Sequence, residues 1–155
     1  MNQKCFVACH KDDSVWKRSS SGGAFTALTD AWFGQYDKLA VVYGCIWDEN
    51  LNAVHMRGTT REDCRKMCGS KYIGSDMSGI YKLVEQDLSD GRYVFFSGTP
   101  CQIAGLYAYL NTDYKKLLTV DIICHGVPSI KAYHKYLEEN AQKREIESVD
   151  FRDKS

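Results

Sequence analysis

The chain has 155 residues, 20 of them basic and 20 acidic, so its formal net charge is zero; 44% of its residues are apolar and 26% charged. That length holds one domain and that apolar share fills a core, which excludes a disordered chain or a fibrous repeat. Balanced charge leaves no electrostatic footprint for nucleic acid or an anionic membrane, and the longest apolar runs fall far short of the ~20 residues that span a bilayer.

The first ten residues lack the basic start, apolar centre and small-residue cleavage site of a signal peptide. A cytoplasmic protein is therefore expected, with no nucleic-acid partner and no membrane insertion. Lys4 to Ala8 reads as a short strand. Gly22 or Gly23 to Phe33 reads as a helix, because Phe25, Leu28, Trp32 and Phe33 recur at spacings of three and four. Lys38 to Ile46 predicts a buried strand, and Ala53 to Arg57 a second that pairs with it as a hairpin across the polar link Trp47 to Asn52. Thr59 and Glu62 have the spacing of a capping box for a short helix from Thr60 to Met67.

A helix over Ser75 to Leu88 follows, capped by Ser75 or Asp76, then a strand over Arg92 to Phe96 and a helix over Pro100 to Leu110. Leu117 to Cys124 predicts a strand, Ser129 to Gln142 a helix, and Ile146 to Phe151 a final strand. Strand–helix alternation in the second half predicts an α/β fold: a single domain with a mainly parallel or mixed sheet flanked by helices. Tyr93 to Phe96 and Leu117 to Cys124 are the most apolar strands and read as central, since parallel strands are covered on both faces.

The seven cysteines are Cys5, Cys9, Cys45, Cys64, Cys68, Cys101 and Cys124. An odd count without a signal peptide argues against a disulfide framework. What remains is core thiols, a reactive thiol, and ligands of zinc or an iron–sulfur cluster. Cys45, inside an apolar strand, reads as core. Cys5 with Cys9 and Cys64 with Cys68 are each spaced to share a face, but this spacing is a weak metal signal.

Ser97-Gly98-Thr99-Pro100-Cys101-Gln102 carries the sharpest local signal. A strand ends at Ser97, Gly98 permits a tight turn, Thr99 and Gln102 form a capping box, and Pro100 takes the first helical position. Cys101 thereby lies in the first turn of a helix, where free N–H groups and the helix dipole favour a thiolate. It also lies at the carboxyl end of a parallel strand, where α/β sheets bind ligands. In Asp121-Ile122-Ile123-Cys124-His125-Gly126-Val127-Pro128-Ser129 a second strand ends with a cysteine and a histidine at its exit. If the two strands are neighbours, Cys101 and Cys124 converge as metal or cluster ligands, whereas Cys101 with His125 would make a nucleophile–base pair.

Ser19, Ser20, Ser21, Gly22 and Gly23 precede an amphipathic helix, a pattern that serves either as a phosphate cradle or as a flexible turn. It is neither a P-loop nor a dinucleotide fingerprint. In Gly69-Ser70-Lys71-Tyr72, Lys71 suits a phosphate or a flavin edge, or else is an exposed cation.

These motifs, followed by Phe151-Arg152-Asp153-Lys154, occur in an order that resembles the coenzyme F420 hydrogenase/dehydrogenase beta-subunit family over nearly the whole chain. The family's members are iron–sulfur flavoproteins. The resemblance implies an oxidoreductase subunit that binds FAD and, in its full-length form, a 4Fe–4S cluster. Such a subunit passes electrons between the cluster, the flavin and an acceptor, which is a redox partner protein or a small molecule. It implies that Ser19 to Gly23 and Lys71, with Thr99 and Gln102 beside them, bind the cofactor, and that Cys101 and Cys124 lie at the cluster. The family's N-terminal ferredoxin-like segment and its region beyond the Phe-Arg-Asp-Lys motif are missing, so the expectation is a central flavin-binding-like domain, residues 1–155, of a longer chain. Two rival readings come from the residues alone: a cofactor-free thiol enzyme with Cys101 as nucleophile and His125 as base, and a non-catalytic binding module.

Overall fold

Two strands that alternate strictly between two apolar faces organise the structure, a computed structural model that describes residues 6–141, 146 and 149–152. In β1 (Ala40–Trp47), Val41 and Tyr43 face one side and Ala40 and Val42 the other; in β3 (Tyr93–Gly98), Val94 and Phe96 join the first side and Phe95 the second. Successive side chains of a strand point to opposite faces, so each side needs its own cover. Helices α4 (Ile80–Ser89) and α5 (Pro100–Leu110) cover the first through Ile80, Val84, Leu88, Ile103, Leu106 and Leu110. Helices α2 (Ala24–Tyr36) and α3 (Arg61–Met67) cover the second through Phe33, Cys64 and Met67.

The sheet has four strands in the order β2-β1-β3-β4, where β2 is Ala53–Gly58 and β4 is Leu117–Asp121. β1 pairs with β3 and β3 with β4 in parallel, while β1 and β2 form the expected antiparallel hairpin with Cys45 opposite His55. The mixed α/β sheet flanked by helices is thus as the sequence predicts. The helix over Pro100–Leu110 also has the predicted bounds.

Elsewhere the elements shift. β4 is an edge strand, not a central one, and it ends at Asp121 rather than at Cys124. Its last ladder bond runs from the Ile122 N–H to the Gly98 carbonyl at 2.9 Å; there β3 turns into α5 and offers no further partner. Ile122 and Ile123 are consequently exposed, and apolarity alone misread them as strand. α4 starts at Ile80 rather than Ser75, because Asp76 is held extended against β2 by bonds to Ala53 O and from His55 N, both at 2.9 Å. The capping box of α3 uses Thr60 and Asp63, one residue beyond the expected pair.

A short helix, α1 (Asp13–Arg18), was not anticipated; Asp12 caps it by accepting from the Ser14 N–H at 2.8 Å. Residues 6–8 are not in a strand, and the rest of the expected Lys4 to Ala8 strand lies outside the described residues. Of the expected final strand, the described residues Ile146, Val149, Asp150 and Phe151 belong to no strand. The last helix, α6 (Ile130–Ala141), returns across the sheet to the hairpin. There Tyr133 is buried with Ala53 and Ile73, and its hydroxyl donates to Leu51 O at 3.2 Å.

Candidate functional site

The parallel strands β1, β3 and β4 end on one edge of the sheet, and the motifs singled out in the sequence gather along it. Gly98 and Asp121 are register partners, and Cys101 and Cys124 each follow by three residues. The two cysteines therefore leave the sheet from adjacent exits, and both are exposed. Cys101 lies in the first turn of α5 with its Sγ 3.2 Å from Thr99 Oγ1, and the Cys124 sulfur accepts the Gly126 N–H at 3.3 Å. His125 is exposed beside Cys124, and no hydrogen bond joins it to Cys101 among the described residues. Nor does any group of three or more His, Cys, Asp and Glu assemble for a metal ion among those residues.

Beneath the start of α5 runs a line of buried and half-buried polar groups. Gln102 Oε1 accepts the Thr99 N–H at 3.0 Å, which makes the cap that the Thr99–Gln102 spacing predicts. Gln102 Nε2 donates to Ser75 Oγ at 2.7 Å, and Ser75 Oγ lies 2.9 Å from His55 Nδ1. His55 Nε2 lies 3.0 Å from the Ser97 carbonyl. A carbonyl only accepts, so the ring hydrogen belongs on Nε2, and Nδ1 accepts from the Ser75 hydroxyl. Burial holds the imidazole below its usual range, against the opposing pull of the Ser97 carbonyl, which favours the neutral ring this pattern needs.

Sequence reasoning missed His55 and treated Ser75 only as a helix cap. The available signal was period two: His55 shares the inward face of β2 with Ala53. A lone histidine there carries no chemistry until Ser75 and Gln102 are brought to it from other segments.

On the same edge, the Ser19 to Gly23 loop meets the Gly69 turn: the Ser70 N–H donates to Ser20 Oγ at 2.9 Å. Lys17, Arg18 and Arg152, the carboxylate Asp150, and Ser19, Ser20, Gly69, Ser70 and Trp47 line a cleft of about 390 Å³ between them. Phe151 brings the Phe-Arg segment to this cleft, with its ring centroid 6.2 Å from Trp47 and 5.5 Å from Tyr72. What approaches Gly22 closely is the chain itself. A Cβ on Gly22 would collide with the Ala8 carbonyl, while the Gly22 carbonyl accepts the His10 N–H at 2.6 Å. Gly23 caps α2 with a left-handed backbone and no side-chain acceptor.

Lys71 Nζ donates to the carbonyls of Met67, Cys68 and Gly69 at 3.4, 3.0 and 3.2 Å, so it closes the C-terminal end of α3 and stiffens the Gly69 turn. Burial holds its ammonium below the usual lysine range.

The other thiols are set apart by burial. Cys64 is buried against α2 and its thiol is pushed up to about 12 by that burial, while Cys68 Sγ donates to the Cys64 carbonyl at 3.5 Å. Cys45 is partly buried and raised for the same reason. Cys9 is exposed, and Cys5 lies outside the described residues.

Residues 91–155 match the family described as the C terminus of the coenzyme F420 hydrogenase/dehydrogenase beta subunit. Over those residues the chain is similar to that family. In three dimensions it is similar to a chain of the F420-reducing NiFe hydrogenase complex from Methanosarcina barkeri, solved as a xenon derivative. The TM-score is 0.64 and the identity 22%, over 89% of this chain and 51% of that one. At that identity the likeness speaks for the fold, and this chain spans about half the length of its neighbour. Among curated proteins no sequence matches. Among the described residues, no helix is long and apolar enough to cross a membrane.

Proposed function

We propose that this chain is the flavin-binding domain of an iron–sulfur flavoprotein oxidoreductase subunit. The observation that carries the reading is the hydrogen bond from Ser70 to Ser20, which closes two loops of the family resemblance around a single cation-lined cleft. The donor set suits FAD: Lys17, Arg18 and Arg152 offer positive charge to a pyrophosphate, and Ser19, Ser20 and the Gly69 turn offer hydroxyls and backbone N–H groups. A bound flavin supplies exchange of one or two electrons.

In this reading Arg18 and Arg152 neutralise the phosphates, and Ser20 with Ser70 sets the width of the cleft. Lys71 keeps the Gly69 turn in place from behind, and Thr99 and Gln102 fix the neighbouring turn that carries Cys101. A 4Fe–4S cluster takes four ligands. Cys101 and Cys124, leaving from adjacent exits, answer for two, and the described residues do not complete the set. In this reading Cys101 and Cys124 would be two of the cluster's ligands. The electron acceptor in this reading is a partner protein or a small molecule that reaches the carboxyl edge.

The test is titration of the protein with FAD, followed by quenching of flavin fluorescence. Arg18→Ala is expected to weaken binding by about tenfold, the effect of losing one charge-assisted hydrogen bond. Equal affinities for the wild type and the variant, or no binding by either, overturn the reading.

A further inference from the structure

We propose that His55 is the positioning residue of the carboxyl edge: through Ser75 and Gln102 it sets the aim of the first turn of α5, and with it the Cys101 thiol. The inference deepens the reading of Cys101 as a site residue and rests on it. His55 is 7% exposed and lies flat against Phe96, with ring centroids 5.6 Å apart and planes 18° apart. Its two nitrogens bridge the end of β3, at the Ser97 carbonyl, and the loop before α4, at Ser75. Ser75 passes the link to Gln102, Gln102 to the Thr99 N–H, and Thr99 Oγ1 lies against Cys101 Sγ.

Each hydrogen bond in this line pairs one donor with one acceptor. Gln102 N–H donates to Ser75, Ser75 O–H to His55 Nδ1, and His55 Nε2–H to Ser97. A matched network anchored on a buried ring favours one geometry, because misalignment at His55 strands a polar group away from water. A protonated His55 would donate from both nitrogens and leave the Ser75 hydroxyl without its acceptor. The groups facing the ring are Cys45 across the β1–β2 ladder, Ser75 and Lys71 from the 69–76 loop, the Ser97 carbonyl of β3, and Gln102 of α5 by way of Ser75. None of them is a carboxylate that would favour the imidazolium. An apolar residue would fill the space but would leave Ser75 and Gln102 free to turn.

The experiment measures the rate at which iodoacetamide alkylates Cys101 in the cofactor-free protein. Peptide mass spectrometry reads it from about pH 5 to pH 9, with Cys9 as the internal reference. His55→Phe and Ser75→Ala are each expected to shift the Cys101 rate relative to Cys9 by about fivefold, the value of one hydrogen bond. His55→Asn, which keeps an acceptor toward Ser75, is expected to return it to within about twofold of the wild type. Asp87→Asn, at the far end of the sheet, is expected to leave it unchanged.

Unchanged Cys101 rates in both network variants, no rescue by Asn, or an equal shift in Asp87→Asn each overturn the proposal. Should His55→Phe fail to fold, Ser75→Ala and its conservative partner Ser75→Thr carry the same comparison. Flavin affinity is measured separately. A protein that shows the rescue pattern and binds no flavin keeps the role of His55 and loses the flavin reading.

Discussion

The backbone N–H of Ser70 donates to the hydroxyl of Ser20 across 2.9 Å, and these two residues stand fifty positions apart in the chain. The bond belongs to tertiary structure, since it joins segments distant in the chain. Ser20→Ala is expected to cost about 1 kcal/mol, the net worth of one such bond. It should also speed hydrogen exchange at the Ser70 amide while leaving the amides of β3 unchanged. Native-state exchange monitored by NMR reads both.

At the opposite end of the sheet, Asp87 is buried to 7% side-chain exposure and takes a fork of bonds from Arg57, both at 2.7 Å, and one from the Tyr43 hydroxyl at 2.7 Å. Burial alone would raise its carboxyl; the bonds from Arg57 and Tyr43 outweigh burial and hold it below the usual range. A carboxylate lowered on folding stabilises above its unfolded value of about 3.9 and loses that contribution as pH falls through the folded value. Asp87→Ala, which leaves Arg57 and Tyr43 facing nothing, is expected to cost about 3–5 kcal/mol in urea denaturation at pH 7. It should also flatten the acid limb of the stability curve below about pH 4.

His55 predicts a separate limb at higher pH. Its imidazole is lowered by burial, so below an unfolded value of about 6.5 the unfolded chain takes up a proton that the folded chain resists. Stability is expected to fall as pH drops from about 6.5 toward the folded value, and His55→Phe should remove that limb while leaving the one below about pH 4 in place. Denaturant midpoints collected across pH measure the two limbs independently.

The thiols should separate by reactivity. Cys9, Cys101 and Cys124 are exposed, whereas Cys64 is buried with its thiol pushed up to about 12. Timed alkylation of the native protein, read by mass spectrometry, should modify those three first and Cys64 only on unfolding. Early modification of Cys64 would contradict the packing of α3 on α2.

Gly105 makes room for a neighbouring ring. A Cβ there would sit 2.7 Å from the Tyr81 hydroxyl, which donates to the Gln102 carbonyl at 2.8 Å. In an exposed helix, Gly→Ala would gain up to about 1 kcal/mol. Here the displaced Tyr81 costs about 1–3 kcal/mol, so a net loss of stability is expected from Gly105→Ala. Its thermal midpoint checks the sign.

Local patterns in the chain were enough to predict the α/β class, the β1–β2 hairpin, the strand that became β3 and the bounds of α5, because each rests on residues close in sequence: alternating apolar side chains, a polar link, a Pro within a capping pair. The same patterns overextended β4 to Cys124, since Ile122 and Ile123 are as apolar as a core strand. Only the end of the partner strand at Gly98 limits the ladder. They likewise began α4 at Ser75, where pairing of Asp76 with β2 holds the chain extended.

Residue order alone was enough to single out the groups proposed to bear the chemistry: the serine–glycine loop, the lysine turn, and two cysteines each following a strand. Where those groups meet was settled by the packed chain, because parallel pairing of β1, β3 and β4 brings their carboxyl ends to one edge. His55 drew its significance only there. A histidine on a short hairpin strand acquires a fixed tautomer and a partner line when Ser75, Ser97 and Gln102, distant in the chain, close around it away from water.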